Sequence, residues 1–191
     1  IDNRKGEKFM EIINGERLVL GTCYYPEHWD ESLWRDDLKR MLENGIEVIR
    51  IAEFAWSKIE RYEGVFNYDF FDRFLDVAAD MGMKVIFCTP TATPPAWLTE
   101  KYPEVLNANM DGVLYRHGGR RHYNYNSPKY QELTRIIVEK SASHYAKHPA
   151  IIGWQIDNEI NCEKNEFYSE SDTIAFRKFL MEKYGSIDAL N

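Results

Sequence analysis

The triplet Asp157-Asn158-Glu159 places two carboxyls and an amide directly after the apolar run Ile151-Ile152-Gly153-Trp154-Gln155-Ile156. A carboxyl at the end of such a run is expected in a partly dry pocket. Desolvation there disfavours the ionised form and raises the pKa, as a general acid working near neutral pH requires. Asn158 can hydrogen-bond a substrate hydroxyl without changing the local charge. Glu159 is therefore a candidate proton donor. The same triplet also reads as a solvated turn opening a loop, and a bare Asn-Glu does not choose between the two.

Three other polar groups follow apolar runs in the same way. They are Tyr24-Tyr25-Pro26-Glu27-His28-Trp29, Glu53-Phe54-Ala55-Trp56 and Thr89-Pro90-Thr91. Carboxylates, amides and Trp gathered on one rim suit a polyol, whose hydroxyls need hydrogen bonds and whose C–H faces stack on rings. Glu53 and Trp56 are candidate substrate contacts, with a structural role an equal alternative for both.

The elements that must position these groups alternate. Strands are expected at 18–22, 48–51, 84–88 and 151–156, with helices at about 33–44, 68–81, 128–145 and 171–184. Trp34, Leu38, Met41 and Leu42 share one helical face, as do Phe71, Phe74, Leu75 and Ala78 in the second helix. Leu133, Ile136, Ile137 and Val138 mark the third, and Ile174, Phe179 and Leu180 the last. Gly45, Gly82 and Gly185 stop three of the helices, and Ser127-Pro128 has the form of an N-cap followed by proline at the first helical position. Four strands alternating with four helices imply parallel βαβ units in an α/β fold. Right-handed crossovers leave an open doubly wound sheet or part of a (β/α)₈ barrel, and no Gly-rich phosphate loop follows the first strand. A whole barrel takes about 250 residues, so four units in 191 residues make half of one.

With 44% hydrophobic and 14% aromatic residues, the chain can bury a real core. Its formal charge of −7 is dispersed, which gives no electrostatic reason to bind nucleic acid or an anionic membrane. No apolar run approaches membrane-spanning length, and residues 1–16 lack a signal-peptide core. Cys23, Cys88 and Cys162 are few and far apart, so no disulfide framework is expected and a cytoplasmic location is the default.

Blocks in the order Gly21-Thr22-Cys23-Tyr24-Tyr25-Pro26-Glu27-His28-Trp29, Arg50-Ile51-Ala52-Glu53-Phe54-Ala55-Trp56-Ser57, Glu63-Gly64-Val65-Phe66, Pro94-Pro95-Ala96-Trp97-Leu98, Gly118-Gly119-Arg120-Arg121-His122-Tyr123 and Gly153-Trp154-Gln155-Ile156-Asp157-Asn158-Glu159 resemble glycoside hydrolase family 42. The likeness runs through nearly everything after Arg17. It implies the N-terminal half of a (β/α)₈ TIM barrel over residues 17–191, preceded by an extension at 1–16. It also implies a retaining β-galactosidase acting on a β-galactoside or galacto-oligosaccharide, with Glu159 as acid/base and Asn158 as its substrate-binding neighbour. An arginine of the Gly-Gly-Arg-Arg-His block binds substrate in the family and maps to Arg120, with Arg121 second. The alternative for this pair is to anchor a loop through ion pairs.

Some family members bind zinc through a cysteine cluster. Asn124 stands where those members carry a cysteine, and Cys162 is alone after Glu159, so neither metal nor cofactor is expected. A retaining mechanism needs a second carboxylate roughly 5–5.5 Å from the first. The resemblance puts that nucleophile after a seventh strand, outside these residues. The 191 residues alone are thus expected to be inactive and to pair with a complementary barrel half or to self-associate. Competing readings are a related retaining β-glycosidase of other specificity and a catalytically inactive carbohydrate-binding half-barrel.

Overall fold

Four apolar runs form one parallel sheet in the computed structural model, which describes residues 18–160, 162 and 165–191. The extension expected at 1–16 lies outside the described residues. In chain order the elements are β1 (Leu20–Cys23), α1 (Trp34–Glu43), β2 (Ile46–Ile51), α2 (Trp56–Ile59), β3 (Glu60–Tyr62) and β4 (Val65–Phe66). There follow α3 (Asp69–Met81), β5 (Lys84–Cys88), α4 (Ala96–Lys101), α5 (Pro128–Tyr145), β6 (Ile151–Gln155), α6 (Glu170–Tyr184) and α7 (Ile187–Leu190). Short 3₁₀ turns lie between several of them.

The chain divides into two compact units. The first holds the described residues up to Ala52, Tyr68–Cys88 and Lys147–Gln155. Its sheet runs β1-β2-β5-β6, every pair parallel. Sequential neighbours without a reversal are the singly wound order of a barrel, not the order of a doubly wound sheet with its switch point. Alternation along the strands separates two faces. Ile49 and Ile51 of β2 and Val85 and Phe87 of β5 have no solvent exposure. The helices of this unit supply Trp34, Leu38, Phe71, Phe74, Leu75 and Ala78, all buried. Phe71 meets Phe87 edge-on at 5.7 Å, and Trp34 meets Phe74 edge-on at 5.2 Å. On the other face, Arg50 donates to Gln155 Oε1 at 2.7 Å and to Cys23 Sγ at 3.0 Å, tying β2 to both outer strands. At Gly21 an added Cβ would come within 3.0 Å of the Val48 carbonyl oxygen, so β1 approaches β2 that closely only with glycine there.

The second unit holds Glu53–Asn67, Thr89–Ala146 and Ile156–Asn191. Its longest helix, α5, begins with Ser127 accepting from the Tyr130 amide and proline in the first turn, as expected. Tyr130, Leu133, Ile137, Ser141 and Tyr145 recur at three and four residues and form its buried stripe. Between α2 and α3 the chain makes the antiparallel hairpin β3–β4, which the sequence reading missed. Glu60 holds it: one carboxylate oxygen accepts from Gly64 N at 2.8 Å, the other from Trp56 Nε1 at 2.8 Å.

Expected and observed boundaries differ at three strands. β1 starts two residues late, because Leu18 is fully exposed and pairing begins at Leu20 with Ile46. β2 starts two residues early, and β6 ends at Gln155, before the exposed Ile156. The helix α6 is a sharper departure. Ile174 and Phe179, read as its inner face, are 61% and 51% exposed. A capping box, in which Ser169 and Asp172 satisfy each other's backbone amides, sets the start of that helix instead. No helix among the described residues is long and apolar enough to cross a membrane.

Candidate active site

The segment after β6 is held by Asp157, a residue given no role in the sequence reading. Its backbone N–H donates to Thr89 Oγ1 at 2.7 Å, and its Oδ2 accepts from Thr91 Oγ1 at 2.9 Å. Its Oδ1 accepts from the Asn158 amide at 2.6 Å and lies 3.6 Å from the Arg121 guanidinium. These partners hold the turn in a conformation that L residues avoid. Asp157 has φ +55° and Glu159 φ +46°. Left-handed backbone at a residue other than glycine costs about 1–2 kcal/mol, and such strain persists only where surrounding contacts over-determine it.

Arg121 is the second anchor, also left-handed at φ +56°. It is only 6% exposed. Its guanidinium donates to the Tyr123 hydroxyl at 2.8 Å, to the Tyr125 hydroxyl at 2.7 Å and to the Asn158 carbonyl oxygen. Burial raises the pKa of both tyrosines, so their hydroxyls stay protonated and serve as neutral acceptors for the cation. Arg121 thus fixes the backbone that presents Glu159.

Arg120 points elsewhere. It donates to Glu159 Oε2 at 2.7 Å, and the two side chains are 53% and 49% exposed. An ion pair so open to water is worth at most about 1 kcal/mol, so little holds it closed. The exposure of Glu159 corrects the expectation of a partly dry pocket. Ile156, at the end of the apolar run expected to shelter it, is itself 70% exposed.

A cavity of about 370 Å³ lies beside this pair of anchors, lined by Arg120, Arg121 and Asn158 and on its apolar side by Phe54, Pro94 and Pro95. The structure therefore brings together Arg120, Arg121, Asn158 and Glu159. Glu53 and Trp56 do not line that cavity. Trp56 has no exposed surface and is committed to Glu60, so no ring face remains for a sugar. Glu53 is buried at 3% exposure. Their neighbours Phe54 and Ser57 line the cavity in their place. Position along the chain could not separate these neighbours, because the turn after β2 decides which side chains face in.

Asn124 is built into structure as well. Its amide donates to Ser169 Oγ and Asp172 Oδ2, which joins this loop to the capping box of α6. Among the described residues no three His, Cys, Asp or Glu side chains cluster as metal ligands would.

The geometry finds its context in other proteins. The sequence model of glycoside hydrolase family 42, described as Beta-galactosidase, matches residues 23–191. Beta-galactosidase Bga of Halorubrum lacusprofundi is 42% identical over 175 residues, which are 91% of this chain and 25% of Bga. A beta-galactosidase of Thermus thermophilus is 44% identical over 174 residues, 91% of this chain and 27% of that protein. The crystal structure of beta-galactosidase from the psychrophilic Marinomonas ef1 aligns at a TM-score of 0.88 and 44% identity, covering 91% of this chain and 27% of that one. The chain spans about a quarter of the length of the relatives it matches. Its parallel βα units are the first four of the family's TIM barrel. On the strength of a family match that runs from Cys23 through the anchored turn at Asp157 to the last residue, the chain belongs to glycoside hydrolase family 42, the β-galactosidases.

Proposed function

We propose that these units form the acid/base half of a retaining β-galactosidase. Glu159 donates a proton to the departing glycosidic oxygen and then, as carboxylate, activates the water that releases galactose. Asn158 hydrogen-bonds a hydroxyl of the galactosyl unit, and Arg120 holds Glu159 in place between turnovers. The attacking carboxylate comes from polypeptide outside the four units. The substrate is a β-galactoside or galacto-oligosaccharide, and no metal or cofactor takes part. The observation that carries this reading is the strained turn after β6. Two left-handed residues, Asp157 and Glu159, are held there by Thr89, Thr91 and Arg121, with one half-exposed carboxylate beside the cavity that Asn158 and Arg120 line.

The test is Glu159→Gln in an enzyme carrying the complete barrel. Hydrolysis of galactosides with poor leaving groups should fall by about 10²–10⁴-fold. Activated aryl galactosides should lose much less in the glycosylation step, because their leaving groups need little protonation. Equal losses for both classes would argue against an acid role, and near-normal turnover would remove it.

A further inference from the structure

The hairpin β3–β4 joins two stretches of chain that line the cavity beside Asn158. Phe54 and Ser57 contribute at α2, and Pro94, Pro95 and Ala96 at the start of α4. Each stretch has a tryptophan fastened to Glu60. Trp56, between Phe54 and Ser57, donates its indole N–H to Glu60 Oε2 at 2.8 Å. Trp97, directly after Ala96, donates its own to the Glu60 carbonyl oxygen at 3.0 Å. The other carboxylate oxygen accepts from Gly64 N at 2.8 Å, which ties Glu60 to the turn of the hairpin. At that turn Glu63 accepts from Lys101 Nζ and from the Tyr102 hydroxyl, so the hairpin grips both ends of α4.

A carboxylate at this place costs stability. Glu60 is 3% exposed, and its hydrogen-bond partners among the described residues are all neutral. Burial pushes its pKa up, against the opposing pull of the two N–H donors. An ionised carboxyl only accepts, which two converging N–H groups require. A glutamine there would turn an NH2 towards one of them.

We propose that Glu60 is a positioning residue for the reaction, and that through Trp56 and Trp97 it sets how the two stretches of cavity lining stand to each other before substrate arrives. The proposal rests on the reading that the turn at Glu159 and the cavity beside it carry the galactosidase reaction. Glu60 is not part of the lining, so its effect passes through its neighbours. The acid/base turn has anchors of its own in Thr89, Thr91 and Arg121. A lining already in place spares the substrate the cost of ordering it. Loss of the strut should therefore weaken substrate binding and leave proton transfer nearly untouched.

The experiment compares KM and kcat for a β-galactoside in an enzyme carrying the complete barrel, at a temperature well below every thermal midpoint. Glu60→Gln keeps the size of the side chain and opposes one of its two donors. The substrate must then order the lining as it binds, and KM should rise by about threefold to tenfold, the worth of one hydrogen bond. The value of kcat should stay close to that of the parent, the pattern of a loss in binding alone. Trp97→Phe keeps an aromatic ring, removes the tie to the Glu60 carbonyl and should raise KM in the same way, which covers the case of a Glu60→Gln enzyme that folds poorly. In the double variant the rise should fall short of the product of the two, because both changes break one strut. Parent-like KM in both single variants, with or without a lower thermal midpoint, would overturn the proposal and leave the hairpin a structural brace. A fall in kcat at unchanged KM would overturn it as well, since the effect would then lie on the acid/base turn. Glu159→Gln judges the underlying reading separately. Near-normal turnover there removes the acid/base role, while the KM comparison for Glu60 stands or falls by itself.

Discussion

Arg120 and Arg121 are neighbours in the chain with opposite surroundings, and substitution should reveal it. Arg121 is buried with four acceptors about it, the two tyrosine hydroxyls, the Asn158 carbonyl and Asp157. Lysine cannot reproduce that fork of donors. Arg121→Lys should cost about 2–4 kcal/mol, a breach of a buried hydrogen-bonded network, read as a drop in thermal midpoint. Arg120→Lys touches an exposed ion pair and should move stability by less than about 1 kcal/mol, while lowering kcat/KM in a complete enzyme. The reverse pattern, with Arg120→Lys unstable and fully active, would make Arg120 the anchor and Arg121 the substrate residue. His122 adds a pH dependence. Its folded pKa lies below its ordinary value, chiefly through burial. Above about pH 6.5, the unfolded histidine value, neither state binds the proton and the full stability is present. As pH falls from there towards the folded pKa, the unfolded chain takes up a proton that the folded chain refuses, and stability declines. Thermal midpoints recorded from pH 8 to pH 5 should therefore fall less steeply for His122→Asn than for the parent.

The elements differ in how openly the sequence declares them. The helix α5 was expected at 128–145 and occupies those residues, because Ser127-Pro128 marks its start by local chemistry and its apolar stripe has a clean helical period. The start of α6 was read one residue late, since Ser169 caps through an aspartate in place of the usual glutamate. Ser169→Ala should cost about 1–2 kcal/mol, measured by urea unfolding. The loss falls at the upper end because Ser169 also meets the Asn124 amide. In the sheet unit, Phe71 is fully buried against Phe87, and Phe71→Ala should cost about 3–5 kcal/mol. A loss under about 1 kcal/mol would mean that the helix does not depend on this contact. The hairpin β3–β4 escaped the sequence reading because strands of three and two residues carry too few side chains to show alternation.

At the scale of the whole molecule, four units leave surfaces without partners among the described residues. β1 and β6 are the outer strands of the sheet, and β1 is exposed along its length. Ile174, Phe176, Phe179 and Met181 of α6 are each more than half exposed. Apolar helix faces and open strand edges favour association. The 191-residue chain should therefore sediment as self-associated species, or form a complex when a polypeptide with the remaining barrel units is added. It should show no galactosidase turnover alone and gain some in that complex, because half of a two-carboxylate mechanism releases no product. A compact monomer in sedimentation would reject the association. Turnover by the pure chain would place the second carboxylate within it.

Local information in the sequence was enough for the order of the four parallel strands and their four long helices, the parallel sheet and the position of Glu159 after β6. Periodicity, caps and stops act over a few residues, and they survive any tertiary context that buries the same faces. The family blocks added the reaction class, which no pattern of apolar residues carries. The neighbourhood of each site residue was decided only by the tertiary structure. Asp157 became the hub of the turn through Thr89, 68 residues away, and Arg121 reached the Asn158 carbonyl across 37 residues. Trp56 went into the core and Phe54 to the cavity, although both follow β2 within five residues. Such outcomes depend on which distant groups arrive at the same place with the right donors, acceptors and apolar surface. No short stretch of the chain contains that information.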